Sequence, residues 1–183
     1  MLLTYNGKTP KIGKNVFLAP GCYVIGDVEI GDDSSIWFNC VIRGDVAKIV
    51  IGRCTNIQDG TVIHGARFPS PTAVNIGDNV IIGHNTVIHA CTIGNSSLVG
   101  MGSLVLNRAV IGEGCLIGAG SIVTEDKVIP PGKLAVGSPA RVVQDVTAEH
   151  HRRFAIVAGL YRDEGLIYSE LCDQQKKSEN GLD

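Results

Sequence analysis

The sequence predicts an all-β chain, a parallel β-helix built as a triangular prism, followed by one C-terminal α-helix. Three observations predict it. Bulky aliphatic residues recur every six positions, as in Ile76-Gly77-Asp78-Asn79-Val80-Ile81 followed by Ile82-Gly83-His84-Asn85-Thr86-Val87. The hexads keep phase in threes, so that eighteen residues make one coil. After Thr147 the spacing changes to three and four, which is helical.

The first-position residues can be laid out coil by coil. Coil one has Ile12, Leu18 and Val24; coil two Ile30, Ile36 and Ile42; coil three Ile51, Ile57 and Ile63. Coil four has Ile76, Ile82 and Ile88; coil five Ile93, Val99 and Val105; coil six Ile111, Ile117 and Val123. The phase survives three extra residues between Ile42 and Ile51, a longer insert between Ile63 and Ile76, and one residue missing before Ile93. These aliphatics point into the prism and stack like on like, each worth roughly 1.5–3 kcal/mol when buried. Gly at the second position is expected at a corner of unusual φ. Sandwich strands would not hold an eighteen-residue phase, nor repeat turn signals every sixth position.

The repeat ends near Val123, and residues 127–143, with Pro130-Pro131-Gly132 and Gly137-Ser138-Pro139, read as an irregular exit. The prism is thus expected over 1–143. A helix over 147–172 is capped by Thr147 and carries an apolar stripe of Phe154, Val157, Leu160 and Tyr161. That stripe packs on the prism flank or a neighbouring subunit. Residues 174–183 are polar and read as a frayed tail.

Composition excludes several classes. A net charge of −2 gives no electrostatic footprint for nucleic acid or an anionic membrane. There is no bilayer-length apolar run and no signal peptide, so a cytoplasmic protein is expected. Six cysteines form no C-x-x-C pair, and Cys22, Cys40 and Cys115 hold the small fifth position of their hexads. They read as core fillers.

The histidines carry the functional signal. His150 and His151 open the helix and read as solvated, whereas His64, His84 and His89 fall in coils three and four. His64 follows Ile63 and His89 follows Ile88, so both are second-position residues of the third hexad, one rung of about 4.8 Å apart. Two imidazoles so placed can converge on one ion at about 2.0–2.1 Å. His84 is a third-position residue of the second hexad, by another corner. It reaches such an ion most simply from a neighbouring prism in a threefold assembly, which predicts an intersubunit His₃ site and a homotrimer together. Arg43 continues the His64–His89 column one coil lower, Asp59 shares the hexad position of His84, and Asp45 follows in the extra residues. An ion-pair group of Arg43, Asp45 and Asp59 across the interface is expected. Three His ligands with an open fourth position are a catalytic zinc arrangement, and such an ion lowers the pKa of bound water to about 7.

The run Val41-Ile42-Arg43-Gly44-Asp45, then Thr55-Asn56-Ile57-Gln58-Asp59-Gly60, His64, Gly83-His84 and Ile88-His89 resembles the γ-class carbonic anhydrases and their bacterial and mitochondrial relatives. The resemblance covers the whole chain. It implies a homotrimer of left-handed β-helices with interfacial zinc, iron or cobalt and a CO2/bicarbonate substrate. It implies that His64, His84 and His89 bind the metal, that Gln58 orients metal-bound water, and that Arg43 contacts bicarbonate and the interface acids. Tyr161 is the best match to a helix Tyr near the site. Asn56 belongs to the same motif and is counted with Gln58, Arg43, Asp45, Asp59 and Tyr161 among the catalytic candidates. The chain departs from the family at Val46, where archetypal active members have Glu, and in the loop Gly65 to Asn75, which holds no Asp, Glu or His to carry a proton. Slow turnover is the implied consequence. Three other readings use the same scaffold: a hexapeptide acyltransferase, a metal-dependent acyl-CoA thioesterase, and a non-catalytic trimeric scaffold.

Overall fold

A computed structural model describes residues 1–179. The chain is a parallel β-solenoid of about seven turns carrying one C-terminal helix. Every expected column is present in register. On the first face Ile12, Ile30, Ile51, Ile76, Ile93 and Ile111 stack in parallel ladders. The second face stacks Leu18, Ile36, Ile57, Ile82, Val99 and Ile117. The third stacks Val24, Ile42, Ile63, Ile88, Val105 and Val123. Nearly all of these side chains are buried in one continuous core. The first and third faces share a sheet because two long strands, Tyr23–Ile30 and Val41–Ile51, run unbroken round the corner between them. The insert after Ile63 forms a small hairpin closed by mutual hydrogen bonds between Ala66 and Thr72.

The corner chemistry differs from expectation. The second-position glycines do not take positive φ; those angles fall at the fourth position, on Asn15, Asp33, Asn79, Asn85, Gly60 and Gly102 among others. Asn, Asp and Gly are the residues that tolerate the left-handed region. Second-position Gly answers a different need, the close approach of the next coil. A Cβ on Gly94 would lie 2.5 Å from the backbone nitrogen of Glu113. Fifth-position residues also have a defined partner. Thr55 donates to the Gly77 carbonyl at 2.8 Å, Ser97 to that of Gly112 at 2.9 Å and Cys40 to that of Gln58 at 3.1 Å. Each acceptor is the second-position carbonyl one coil on, so cysteine stands in for serine there.

The solenoid also runs further than the aliphatic pattern indicates. Val128–Ile129 adds a rung to the first face and Lys133–Gly137 one to the second. The stretch 129–134 is a regular hexad in which Pro130 and Pro131 occupy the corner and Gly132 takes the fourth-position φ of +69°. Lys133–Gly137 then turns back into an antiparallel strand, Ala140–Asp145, which covers the open edge of the second face. At the other end Leu2–Leu3 pairs with Val24 and Ile25.

Helix α1 spans Ala148–Glu179 and so continues beyond 172 through the polar stretch read as tail; 180–183 lie outside the described residues. Thr147 caps it, accepting from the His150 N–H at 3.3 Å, while its own N–H donates to His150 Nδ1 at 3.0 Å. His150 therefore adds a capping contact while staying partly exposed. The helix runs back down the second face, from His151 beside Gly114 to Gly165 against Phe17. Fourteen residues of helix span about 21 Å, close to the roughly 24 Å of five rungs. Its inner face is Phe154, Val157, Tyr161 and Gly165, whereas Leu160 is 55% exposed. Tyr161 and Tyr168 pack edge-on against Trp37, with ring centroids 5.1 and 5.5 Å away.

Candidate metal centre

Alternation along a strand turns the second-position side chain outward when the first points into the prism. His64 and His89 end the strands Val62–His64 and Val87–His89 of the third face, and they are register partners. Arg43 is the register partner of His64 one coil below. His64 Nδ1 lies 3.3 Å from His89 Nε2. The outer nitrogens have their own partners: His64 Nε2 is 3.1 Å from Asp45 Oδ1, and His89 Nδ1 is 2.6 Å from Asn107 Oδ1. Arg43 donates to the other oxygen of Asp45 at 2.7 Å. Burial, helped by the Arg43 charge, pushes the His64 pKa down and favours the neutral ring. Burial alone would raise that of Asp45, but Arg43 beside it, a backbone N–H and His64 hold the carboxyl below its ordinary value.

A second group forms at the other edge of the third face. His84 sits in the turn that precedes the strand Val87–His89, so strand and turn separate it from His89. Its Nδ1–H donates to Asp59 Oδ2 at 2.7 Å, and the other Asp59 oxygen accepts the Phe38 N–H at 3.1 Å. The Tyr161 hydroxyl lies 3.2 Å from His84 Nε2, which brings α1 to the site. Burial, then Asp59 and Glu164, pushes the Tyr161 hydroxyl up, so it remains a donor. Gln58 and Asn56 are buried at the neighbouring second face, the Gln58 amide donating to Asn56 Oδ1 at 3.3 Å. Asp59 therefore belongs with His84, and within the chain only Arg43 and Asp45 form the expected ion pair.

One chain thus presents two polar groups. Arg43, Asp45, His64 and His89 make the first; Asn56, Gln58, Asp59, His84 and Tyr161 make the second. Among the described residues no three His, Cys, Asp or Glu side chains of one chain gather into a metal-binding group. The first group nonetheless has two imidazoles at the spacing of two ligands to one ion. A tetrahedral ion with bonds of about 2.0–2.1 Å sets its donor atoms about 3.3–3.4 Å apart, which matches the His64–His89 separation. Asn107 is the member that sequence reasoning missed. It stands in the coil beyond His89, so its address was available, but its partner depended on a side-chain rotamer.

The model "Bacterial transferase hexapeptide (six repeats)" matches residues 9–44 and 90–125. A carbonic anhydrase of Geobacillus kaustophilus is 44% identical over 175 residues, covering 96% of this chain and 94% of that one. The mitochondrial gamma carbonic anhydrase 2 of Arabidopsis thaliana is 44% identical over 151 residues, 81% of this chain and 54% of its own length. The chain belongs to the γ-class carbonic anhydrase-like family of hexapeptide-repeat proteins. A solved Bacillus cereus structure described as a putative acetyltransferase superposes with a TM-score of 0.88 at 42% identity, covering 93% of this chain and 98% of that one. Among the described residues no helix is long and apolar enough to cross a membrane.

Proposed function

We propose that this γ-class-like protein catalyses the reversible hydration of CO2 to bicarbonate and a proton at metal sites shared between copies of the chain in a cytoplasmic homotrimer. The observation that carries the proposal is the pair of half-sites. His64 and His89 face each other at ligand spacing, and His84, backed by Asp59, stands before the strand Val87–His89 while His89 ends it. In a threefold assembly the His84 half-site of one copy meets the His64–His89 half-site of the next, giving three imidazoles and an open position. Zinc suits three neutral imidazoles, with iron and cobalt as alternatives. When bound, such an ion makes water ionisable near neutral pH.

The chain's own residues do the rest. Asp45 and Asp59 hold His64 and His84 by their ring nitrogens, fixing ring orientation. Arg43 keeps a cation beside His64 while its contact to Asp45 limits its motion, so it can pair with the developing bicarbonate. Gln58, its amide N–H committed to Asn56, offers its carbonyl oxygen as a fixed acceptor that orients the attacking water. Tyr161 lies 3.2 Å from the Nε2 that His84 would offer the ion, so its hydroxyl would turn from that nitrogen to another acceptor at the site when an ion is held. Neither the hairpin over residues 65–75 nor Val46 supplies an acid to export the proton.

The test is metal analysis and stopped-flow CO2 hydration on anaerobically purified protein. The proposal expects up to one ion per chain and hydration that chelation abolishes. The putative acetyltransferase relative keeps a second reading in view, acyl transfer or acyl-CoA hydrolysis. Fully metallated protein that never hydrates CO2 yet turns over an acyl-CoA would establish that reading instead.

A further inference from the structure

The outer partners of the histidine pair determine where its protons sit. Asp45 Oδ1 accepts only, so the neutral His64 ring carries its proton on Nε2 and turns a lone pair at Nδ1 inward. Asn107 is the ambiguous partner, because a carboxamide can present either an acceptor oxygen or an N–H donor. Here Oδ1 faces His89 Nδ1 at 2.6 Å, which puts the His89 proton outside and a second lone pair, at Nε2, inside. With both rings neutral, two lone pairs then face each other across 3.3 Å, an arrangement that a metal ion or a shared proton satisfies. Were the amide reversed, His89 would carry its proton on Nε2, donate it to His64, and close the pair as an ordinary hydrogen bond. Arg108, the next residue, does not compete for the amide oxygen, since its guanidinium is held by Asp126 and Glu125.

We propose that Asn107 is a positioning residue that sets the tautomer of His89 and so keeps the His64–His89 pair open to a metal ion. The inference rests on the metal reading above and deepens it. Carboxylates back His64 and His84, whereas a neutral amide backs His89.

The experiment compares full-length wild type with Asn107→Leu and Asn107→Asp. Zn2+ affinity is measured by competition with a chromophoric chelator. The His89 tautomer is read in metal-free protein by long-range 1H–15N NMR at about pH 9, well above the ordinary imidazole range of about 6.5, so that neutral rings are compared. Asn107→Leu removes the acceptor at similar volume, and the expected loss of Zn2+ affinity is about 10–100-fold. Asn107→Asp, an acceptor only, should bind at least as tightly as wild type. Metal-free wild type should show the Nδ1–H form of His89, and Asn107→Leu a shift toward Nε2–H. The inference is overturned if Asn107→Leu binds Zn2+ like wild type, if Asn107→Asp loses as much as Asn107→Leu, or if wild-type His89 is protonated on Nε2. Wild-type protein that takes up no Zn2+ sinks the metal reading itself, while the tautomer spectrum still decides the part assigned to Asn107. Circular dichroism of both variants should match wild type, because Asn107 lies outside the aliphatic column.

Discussion

Asp59 and His84, 25 residues apart in sequence, occupy the same hexad position one coil apart and are joined at 2.7 Å. That bond holds His84 at the edge of the third face away from the His64–His89 pair. The proposed metal site, assembled from both, is therefore expected to cross between chains. Mixing His84→Ala with His64→Ala protein should regenerate complete sites in mixed trimers, seen as recovered metal uptake and hydration. Sites closed within one chain would show no recovery.

Chelation should remove activity without unfolding the prism. The aliphatic columns of the three faces are buried irrespective of any ion, and each coil is stabilised by its neighbours. The β-rich circular dichroism spectrum should persist at moderate temperature after metal removal. Cooperative unfolding on chelation would count against this.

Proton export should limit turnover. The loop between Gly65 and Asn75 has no carboxylate or imidazole, and general acid–base assistance is typically worth about 10²–10⁴-fold. Small buffers such as imidazole should raise kcat and leave kcat/KM nearly unchanged. A Glu placed in the 66–72 hairpin should act in the same direction. A kcat indifferent to buffer would place the slow step elsewhere.

The two glycine roles separate by mutation. Gly94→Ala sets a methyl 2.5 Å from the Glu113 backbone nitrogen, where nothing flexible can yield. Overpacking of this kind costs about 1–3 kcal/mol or more. Gly102→Ala has open space around it and only the φ of +68° to accommodate, a penalty of about 1–2 kcal/mol. Denaturant midpoints should rank Gly94→Ala as the less stable, and Gly102→Asn should recover part of the loss at its own position.

Thiol labelling should follow burial. Burial pushes the Cys40 and Cys91 thiols up to about 12, so the thiolate is almost absent at pH 8 and forms only as pH rises toward that value. Both should resist a water-soluble disulfide reagent until the protein is unfolded, whereas exposed Cys54 should react in the native state. Rapid native labelling of Cys40 would mean that the coils open locally.

The period of six was legible in the amino-acid order because each hexad repeats one local unit. Register, columns and the pairing of His64 with His89 follow from counting, since a coil must place equivalent residues one rung apart. The separation of His84 from that pair is legible for the same reason. Other features depend on what lies across the rung, which no local pattern encodes. Where position two is Gly, as at Gly94, the next coil's backbone presses on it, while position four takes the positive φ. Pro130 and Pro131 leave the solenoid intact because the register places them at a corner. Leu160 and Tyr161 are adjacent in one helical pattern, yet only packing against Trp37 decides that Tyr161 turns in and Leu160 out. The choice of Asn107 by His89, and of Asp59 by His84 within the chain, was likewise decided by tertiary structure. A hydrogen bond needs direction and distance within a few tenths of an ångström, and the sequence supplies only neighbourhood.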